Sequence, residues 1–469
     1  MKFLRFIVLI VFIHVIQGGF LAASEPILKP WIENSWYWSY RGEPKLLLGA
    51  SDDDNLFQWP PEQLIPHLDR LAKAGGNLIR NTMSDRPDKG FEIYPFKQIA
   101  NGKFDLNQWN DAYWIRFERL LNETAKRDII VQIEIWDRFD FTDNGGKNYW
   151  QRHPYNPKNN INYTYEQSTF AENYPDHPGA NKQIFFYTTP VQRNIQIVLQ
   201  YQQRFVEKML SYSLQYEHVL YCMDNETRAE AEWGKYWAQF IKERAAKLNK
   251  IIYVTEMWDD WDLTAARHKQ TFDHPEIYDF VDVSQNNHNK GQQHWDNFLK
   301  VREYLAQKPR PINTIKTYGA DGNKFGHTDQ DGIERFWRHL LAGAAALRFH
   351  RPPSGLGLSD KAVATIRATR KLESKIPIWS LKPANELLSE HELNAAYLAA
   401  DIGYAYVLYL PAGNMVKVDL TAVKKQLNVQ WIDIDSGEWG QQYIISGGTH
   451  TYFEAPDKRN WVAAIFIHD

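Results

Sequence analysis

The chain has 469 residues, of which 43% are hydrophobic and 24% charged. Those are ordinary globular proportions, and they exclude disordered, collagen-like and coiled-coil chains. A formal charge of −3 with no Lys/Arg stripe excludes the electrostatic footprint of a nucleic-acid binder, and a single cysteine, Cys222, excludes an internal disulfide or a Cys-rich metal site.

Lys2 and Arg5 precede an apolar run over 6–16, and the small-residue stretch Leu21-Ala22-Ala23-Ser24 follows. This pattern predicts a secretory signal peptide over 1–24, cut near Ala23 or Ser24. The run is too short for a membrane anchor, and no later segment is apolar enough to span a bilayer. With one Cys, the expected location is secreted or periplasmic.

From Lys45 to about Lys375, short apolar runs alternate with amphipathic stretches, the pattern of repeated βα units. Strands are expected over 46–49, 77–80, 129–135, 219–223, 251–254, 280–283, 312–315 and 347–350. Helices are expected over 61–74, 109–126, 191–214, 229–248, 263–269, 294–306 and 332–347. The fold class is therefore α/β, a (β/α)8 TIM barrel over 25–382. The segment 138–189, rich in Asn, Pro, Gly and Tyr, lacks periodicity; a stretch that long after the third strand is expected to lie over the barrel's carboxyl-end face. Beyond Lys375, strand-like runs over 395–400, 405–410, 416–420, 429–434, 443–445 and 461–467 alternate with turn signals such as Pro411-Ala412-Gly413-Asn414. They predict a small antiparallel β-sandwich over 383–469.

In such a barrel, chemistry-bearing residues follow the carboxyl ends of the strands. In chain order these are Asp52-Asp53-Asp54, Arg80-Asn81, Trp136-Asp137-Arg138, Asp224-Asn225-Glu226, Glu256-Met257-Trp258-Asp259, Gln285-Asn286-Asn287-His288, Lys316-Thr317-Tyr318 and His350-Arg351. This rim is acidic, aromatic and rich in Asn. Glycoside cleavage needs one protonated carboxyl at the leaving oxygen and a second carboxylate that attacks or activates water, with amides, Arg and His on the hydroxyls. The 18 Trp, 25 Tyr and 24 Phe suit stacking on sugar faces as well as core packing. No GxGxxG, Walker loop, His-Glu-x-x-His or serine elbow is present, so no cofactor or metal is expected.

Asn225-Glu226 at the end of the fourth expected strand resembles clan A of the glycoside hydrolases. Leu47-Leu48-Gly49-Ala50-Ser51, Gly75-Gly76-Asn77-Leu78-Ile79-Arg80 and Trp431-Ile432-Asp433-Ile434-Asp435-Ser436-Gly437 are similar to apiosidase-like barrels carrying a C-terminal, so-called collagen-binding sandwich. The resemblance implies Glu226 as acid/base, Asn225 on the sugar 2-hydroxyl, and a Glu nucleophile ending the seventh strand. Here Thr314-Ile315-Lys316-Thr317-Tyr318-Gly319 holds no such Glu. Asp321 lies past the strand tip, and Glu256, ending the fifth strand, ranks first as second carboxylate; the remaining reading is loss of hydrolysis.

The sequence reading is thus a secreted glycoside hydrolase acting on a polysaccharide or oligosaccharide, an anionic one if Lys316, His350 and Arg351 face it. Asn225, Arg80, Asp53, Asp137, Asn286, His288, Lys316, Tyr318, His350 and Arg351 would place the sugar, with Trp136 and Trp258 as stacking platforms. The alternatives are an inactive glycan-binding protein with a hydrolase fold, or a polysaccharide lyase using Lys316 and Tyr318. The sequence assigns no oligomeric state.

Overall fold

The computed structural model describes residues 27–468; the signal-peptide segment 1–24 lies outside them. The continuous apolar runs become eight parallel strands: β1 (Leu47–Ala50), β2 (Leu78–Thr82), β3 (Ile130–Asp137), β4 (Val219–Asn225), β5 (Val254–Thr255), β6 (Val281–Asp282), β7 (Ile312–Thr317) and β8 (Ala346–Phe349). Every residue of these strands is buried, as strands covered on both faces must be. Each is followed by a helix: α1 (Pro61–Lys73), α2 (Asp111–Ala125), α3 (Gln196–Ser213), α4 (Ala231–Lys247), α5 (Ala266–Phe272), α6 (Gly291–Tyr304), α7 (Asp329–Ala342) and α8 (Asp360–Glu373).

The ladder order β5-β4-β3-β2-β1-β8-β7-β6 is that of a (β/α)8 barrel. Among the described residues no ladder joins β5 to β6, each only two residues long. Gly49 lets β1 and β2 approach: a Cβ there would stand 2.2 Å from the Leu78 carbonyl oxygen. Helix α8 escapes the sequence reading, and α7 ends at Ala342, short of the expected 347, because Gly343 at φ 94° closes it before β8 begins.

A three-stranded hairpin sheet (Leu28–Pro30, Trp38–Tyr40, Glu43–Lys45) precedes β1 and closes the amino end of the barrel. Trp38 sits in a cluster with Leu47, Leu78, Leu220, Cys222 and Ile315, and its Nε1 donates to Asn313 Oδ1 at 3.0 Å. Above it the barrel interior is polar. Arg80 Nε donates to Glu134 Oε1 (2.6 Å), Gln132 to Asp282 (3.1 Å) and Asn313 to Gln132 (3.2 Å).

The segment 138–189 is ordered by side chains rather than by periodicity. Asn156, Asn159 and Asn160 donate to the carbonyls of Trp150, Gln151, His153 and Pro154, capping short helical turns. Phe141, Trp150, Tyr155, Phe170 and Phe185 are buried beneath them.

From Lys382 onward the chain forms antiparallel sheets. A six-stranded sheet (Lys382–Pro383, Tyr397–Asp401, Ala405–Leu410, Trp461–Ile467, Gln426–Asp433, Glu438–Ser446, in spatial order) faces a three-stranded one (Leu388–Ser389, Met415–Asp419, His450–Glu454). Leu398, Leu408, Val416, Leu427, Trp431 and Phe453 form the core of this sandwich. The opposite face joins the barrel core, where Tyr409 stacks on Trp337 of α7 at 5.7 Å and Asn460 exchanges amide hydrogen bonds with Gln330. No helix among the described residues is long and apolar enough to cross a membrane.

Candidate active site

β4 delivers the central group. The residue after it, Glu226, has φ 54°, a left-handed conformation that non-glycine side chains seldom adopt. Thr227 holds the turn, donating its N–H to Met257 O (2.8 Å) and accepting from Asp259 N–H (2.9 Å). The Glu226 carboxylate thereby faces an open cleft of about 300 Å³ at the carboxyl end of the barrel.

Both residues that hold Glu226 come from the end of β7. Its Oε1 accepts from Lys316 Nζ and from the Tyr318 hydroxyl (2.9 Å); Lys316 Nζ also donates to Asn225 Oδ1 (3.1 Å). Where clan A resemblance puts a nucleophile, this chain therefore puts a cation on its own candidate acid. Burial, then the neighbouring Arg80, pull the Lys316 ammonium well below the ordinary lysine range, although Glu134, Asp54 and Asp137 favour its charge.

Two more carboxylates line the cleft. Asp259 accepts from Arg138 Nη2 (2.6 Å) and Arg228 Nε (2.9 Å); burial alone would raise its pKa, yet these two guanidinium groups hold it below the usual value. The same Arg138 nitrogen lies 3.9 Å from Glu226 Oε2. A single guanidinium nitrogen thus spans the two carboxylates, so their nearest oxygens are no farther apart than the sum of its two legs. Asp54 is deeper, paired with Arg80 (2.5 Å) and Arg351 (2.7 Å), with Arg348 at 3.4 Å. Burial opposes its charge, but Arg80, His350, Arg351 and Arg348 together keep it well below the usual carboxylate range.

Of the residues expected in the site, Asn225, Glu226, His288, Lys316, Tyr318, His350 and Arg351 line this cleft. The His288 ring lies 4.8 Å from that of Tyr318, and burial lowers its pKa. His350 is lowered further, by burial and by Lys316, Arg351 and Arg80, against the pull of Asp54.

The others turn elsewhere. Arg80 is fully buried beneath the cleft between Asp54 and Glu134. Asp53 accepts from the Asp54 N–H and from Trp59 Nε1, so Asp54 is the member of the acidic triplet that faces inward. Asp137 pairs with Arg86 at 3.0 Å. Asn286 is completely buried, donating to His294 O and contacting His339. Trp136 packs among Phe185, Phe205, Trp233 and Trp237 behind β3, and Trp258 is buried with its Nε1 on Thr271, so neither is a platform.

Glu256 is the largest correction. Its Oε1 accepts from the Asp224 and Met257 N–H groups (3.0 Å each), and its Oε2 points at α4, where a Cβ on Gly234 would stand 2.3 Å away. Only 1% exposed, it lies behind the strands rather than opposite Glu226. Burial pushes the Glu256 and Asp224 carboxyls well above the usual range, and the Asp224 charge raises Glu256 further. The native state therefore keeps protons that the unfolded chain releases, and this pair costs stability as pH climbs above the ordinary carboxylate range until the folded pair itself ionises. Glu256→Gln keeps the oxygen acceptor and removes one titrating group. Its thermal midpoint relative to the parent protein is expected to rise from about pH 5 to about pH 8; a difference constant with pH refutes the raised pKa of the buried pair.

The sequence reading puts Asp54, Arg138 and Asp259 on the rim without naming them as site residues, and misses the outer cleft-lining residues Phe139, Lys147, His177, Lys324 and Phe325. Asp54, Asp259 and Arg138 adjoin residues that it chose; the strand-end rule finds the peptide but not which side chain turns inward. Among the described residues no group of three or more His, Cys, Asp or Glu is placed to hold a metal ion.

Solved structures of glycoside hydrolases share this fold. A family 5 glycoside hydrolase from Bacteroides vulgatus superposes with a TM-score of 0.60 at 13% identity, over 94% of this chain and 93% of that one. A second glycoside hydrolase gives 0.61 at 11% identity (94% and 97%), and a putative one from Bacteroides vulgatus 0.58 at 11% (94% and 82%). At those identities the likeness is one of fold, barrel and C-terminal sheets together. No family model matches the sequence, nor does any curated protein.

Proposed function

We propose that the protein is a glycoside hydrolase in which Glu226 is the proton donor and Asp259 the second carboxylate. The observation that carries this is the left-handed turn at Glu226, which presents its carboxylate to the open cleft on the same guanidinium as Asp259. Glu226 passes its proton to the leaving oxygen as the glycosidic C–O bond breaks. Asp259, held ionised by Arg138 and Arg228, supplies the facing negative charge, as nucleophile or as base for water; the anomer formed first, read by proton NMR, decides which. Lys316 and Tyr318 are positioning residues for Glu226, while Asn225, His288 and His350 are set to meet sugar hydroxyls. The sequence motifs support an apiosidase-like placement within clan A, a barrel over 25–382 with a sandwich over 383–469, and export to the periplasm or exterior.

The test is product release from purified polysaccharides, with Asp259→Asn expected to lower turnover about a hundredfold or more while the fold persists. An Asp259→Asn protein as active as the parent removes Asp259 from the reaction. No product from any glycan, with binding retained, selects the inactive glycan-binding alternative. One observation favours a further reading, β-elimination on a uronate: Lys316 and Tyr318, a base and a hydroxyl, converge at Glu226. An unsaturated, ultraviolet-absorbing product identifies it.

A further inference from the structure

The cleft's charge runs against that of the chain. Six of its lining residues are Lys or Arg and three are Asp or Glu, in a protein whose formal charge is −3. Most of these cations are already paired: Lys316 is engaged by Glu226, Arg351 by Asp54, Arg138 by Asp259, and Arg86 by Asp137 from outside the lining. The uncompensated charge lies nearer the mouth. Lys147 and Lys324 are exposed, line the cleft, and form no ion pair among the described residues; each instead has its ammonium near an aromatic ring, Tyr149 at 5.4 Å and Phe325 at 4.8 Å. Deeper in, the Arg138 side chain, only 6% exposed, lines the cleft with its Nη2 on Asp259. Phe325, 45% exposed, adds an apolar face 6.1 Å from the Tyr318 ring.

We propose that the cleft takes an acidic glycan, whose ring lies on Phe325 and whose carboxylate or sulfate meets Lys147, Lys324 and Arg138. A neutral sugar satisfies single donors but leaves the excess positive charge unbalanced, whereas carboxylate and sulfate both offer charged oxygens to Lys and Arg. The inference rests on the cleft being a sugar site and deepens that reading by naming the substrate class.

The experiment uses the full chain carrying Glu226→Gln, which blocks turnover, in calorimetric titrations with an oligogalacturonide, a sulfated galactan oligosaccharide and a neutral galacto-oligosaccharide of equal length. At about 20 mM salt at least one charged probe is expected to bind roughly tenfold or more tighter than the neutral one, the preference shrinking at about 200 mM as the charges are screened. Comparing the two charged probes tells carboxylate from sulfate. Lys147→Gln with Lys324→Gln, both at exposed positions, is expected to remove at least about threefold of that preference. Arg138→Gln removes more, with circular dichroism confirming its fold. Equal or absent binding of charged and neutral probes, or a preference untouched by the double lysine variant, overturns the proposal. The hydrolase reading is scored separately by products from the parent protein: charge preference without products keeps this inference and removes hydrolysis, while products from a neutral glycan without charge preference do the reverse.

Discussion

Glu226→Gln is expected to lower turnover roughly a thousandfold while leaving the fold intact, within the range that a positioned proton donor contributes. The amide oxygen can still accept from Lys316 and the Tyr318 hydroxyl, so the arrangement around it keeps its shape; only the transferable proton is gone. Glu226→Gly sharpens the test. Glycine relieves the steric cost of φ 54° but gives up the acceptor for Lys316 and Tyr318, so this variant is expected to be inactive and no more thermally stable than Glu226→Gln. Turnover of either variant at the parent rate, measured as reducing ends released from the parent's best glycan, takes Glu226 out of the reaction.

The fold was readable because parallel barrel strands, covered on both faces, appear as unbroken Val/Ile/Leu runs: Ile129 to Ile135 falls almost wholly within β3. Helix α8 was not, because its buried side is mostly Ala and Thr, such as Ala364, Thr365, Ala368 and Thr369, which barely register as an apolar stripe. The site divides the same way. Asn225-Glu226 was found because a strand end followed by a helix is visible in sequence. The carboxylate we propose as its partner was not, because Glu256 and Asp259 differ only in which way a two-residue strand ends. The first turns back under the amide of Asp224; the second, tied to Thr227 by a backbone hydrogen bond, turns into the cleft. Asp53 and Asp54 pose the same problem, settled by Trp59 capturing Asp53. Long-range partners of this kind leave no local periodicity to read.

Asp54 is where that hidden geometry should have its largest effect on stability. It is 3% exposed and neutralises a group of buried or half-buried cations, Arg80, Arg348 and Arg351, that no other single residue joins. Arg80 retains Glu134, but Arg348 has its pKa brought down to about 10, chiefly by burial, and depends on Asp54 for charge balance. Asp54→Asn preserves volume while leaving that charge uncompensated, and breaking one side of a buried pair typically costs about 3–5 kcal/mol. Asp53→Asn, one residue away, gives up a charge at two neutral hydrogen bonds, from the Asp54 amide and Trp59, and should cost about 1 kcal/mol. Because the barrel and the sandwich have separate cores, the comparison belongs to the barrel's own transition, followed by near-ultraviolet circular dichroism, to which most of the buried tryptophans contribute from the barrel. Equal midpoints for the two variants remove Asp54 as the counter-charge of the barrel mouth. If instead Asp54→Asn is as stable as the parent but inactive, Asp54 replaces Asp259 as the facing carboxylate. The proton donor and the open cleft are common to both assignments, so the turnover of Asp54→Asn and Asp259→Asn, read beside their midpoints, decides which acid completes the pair.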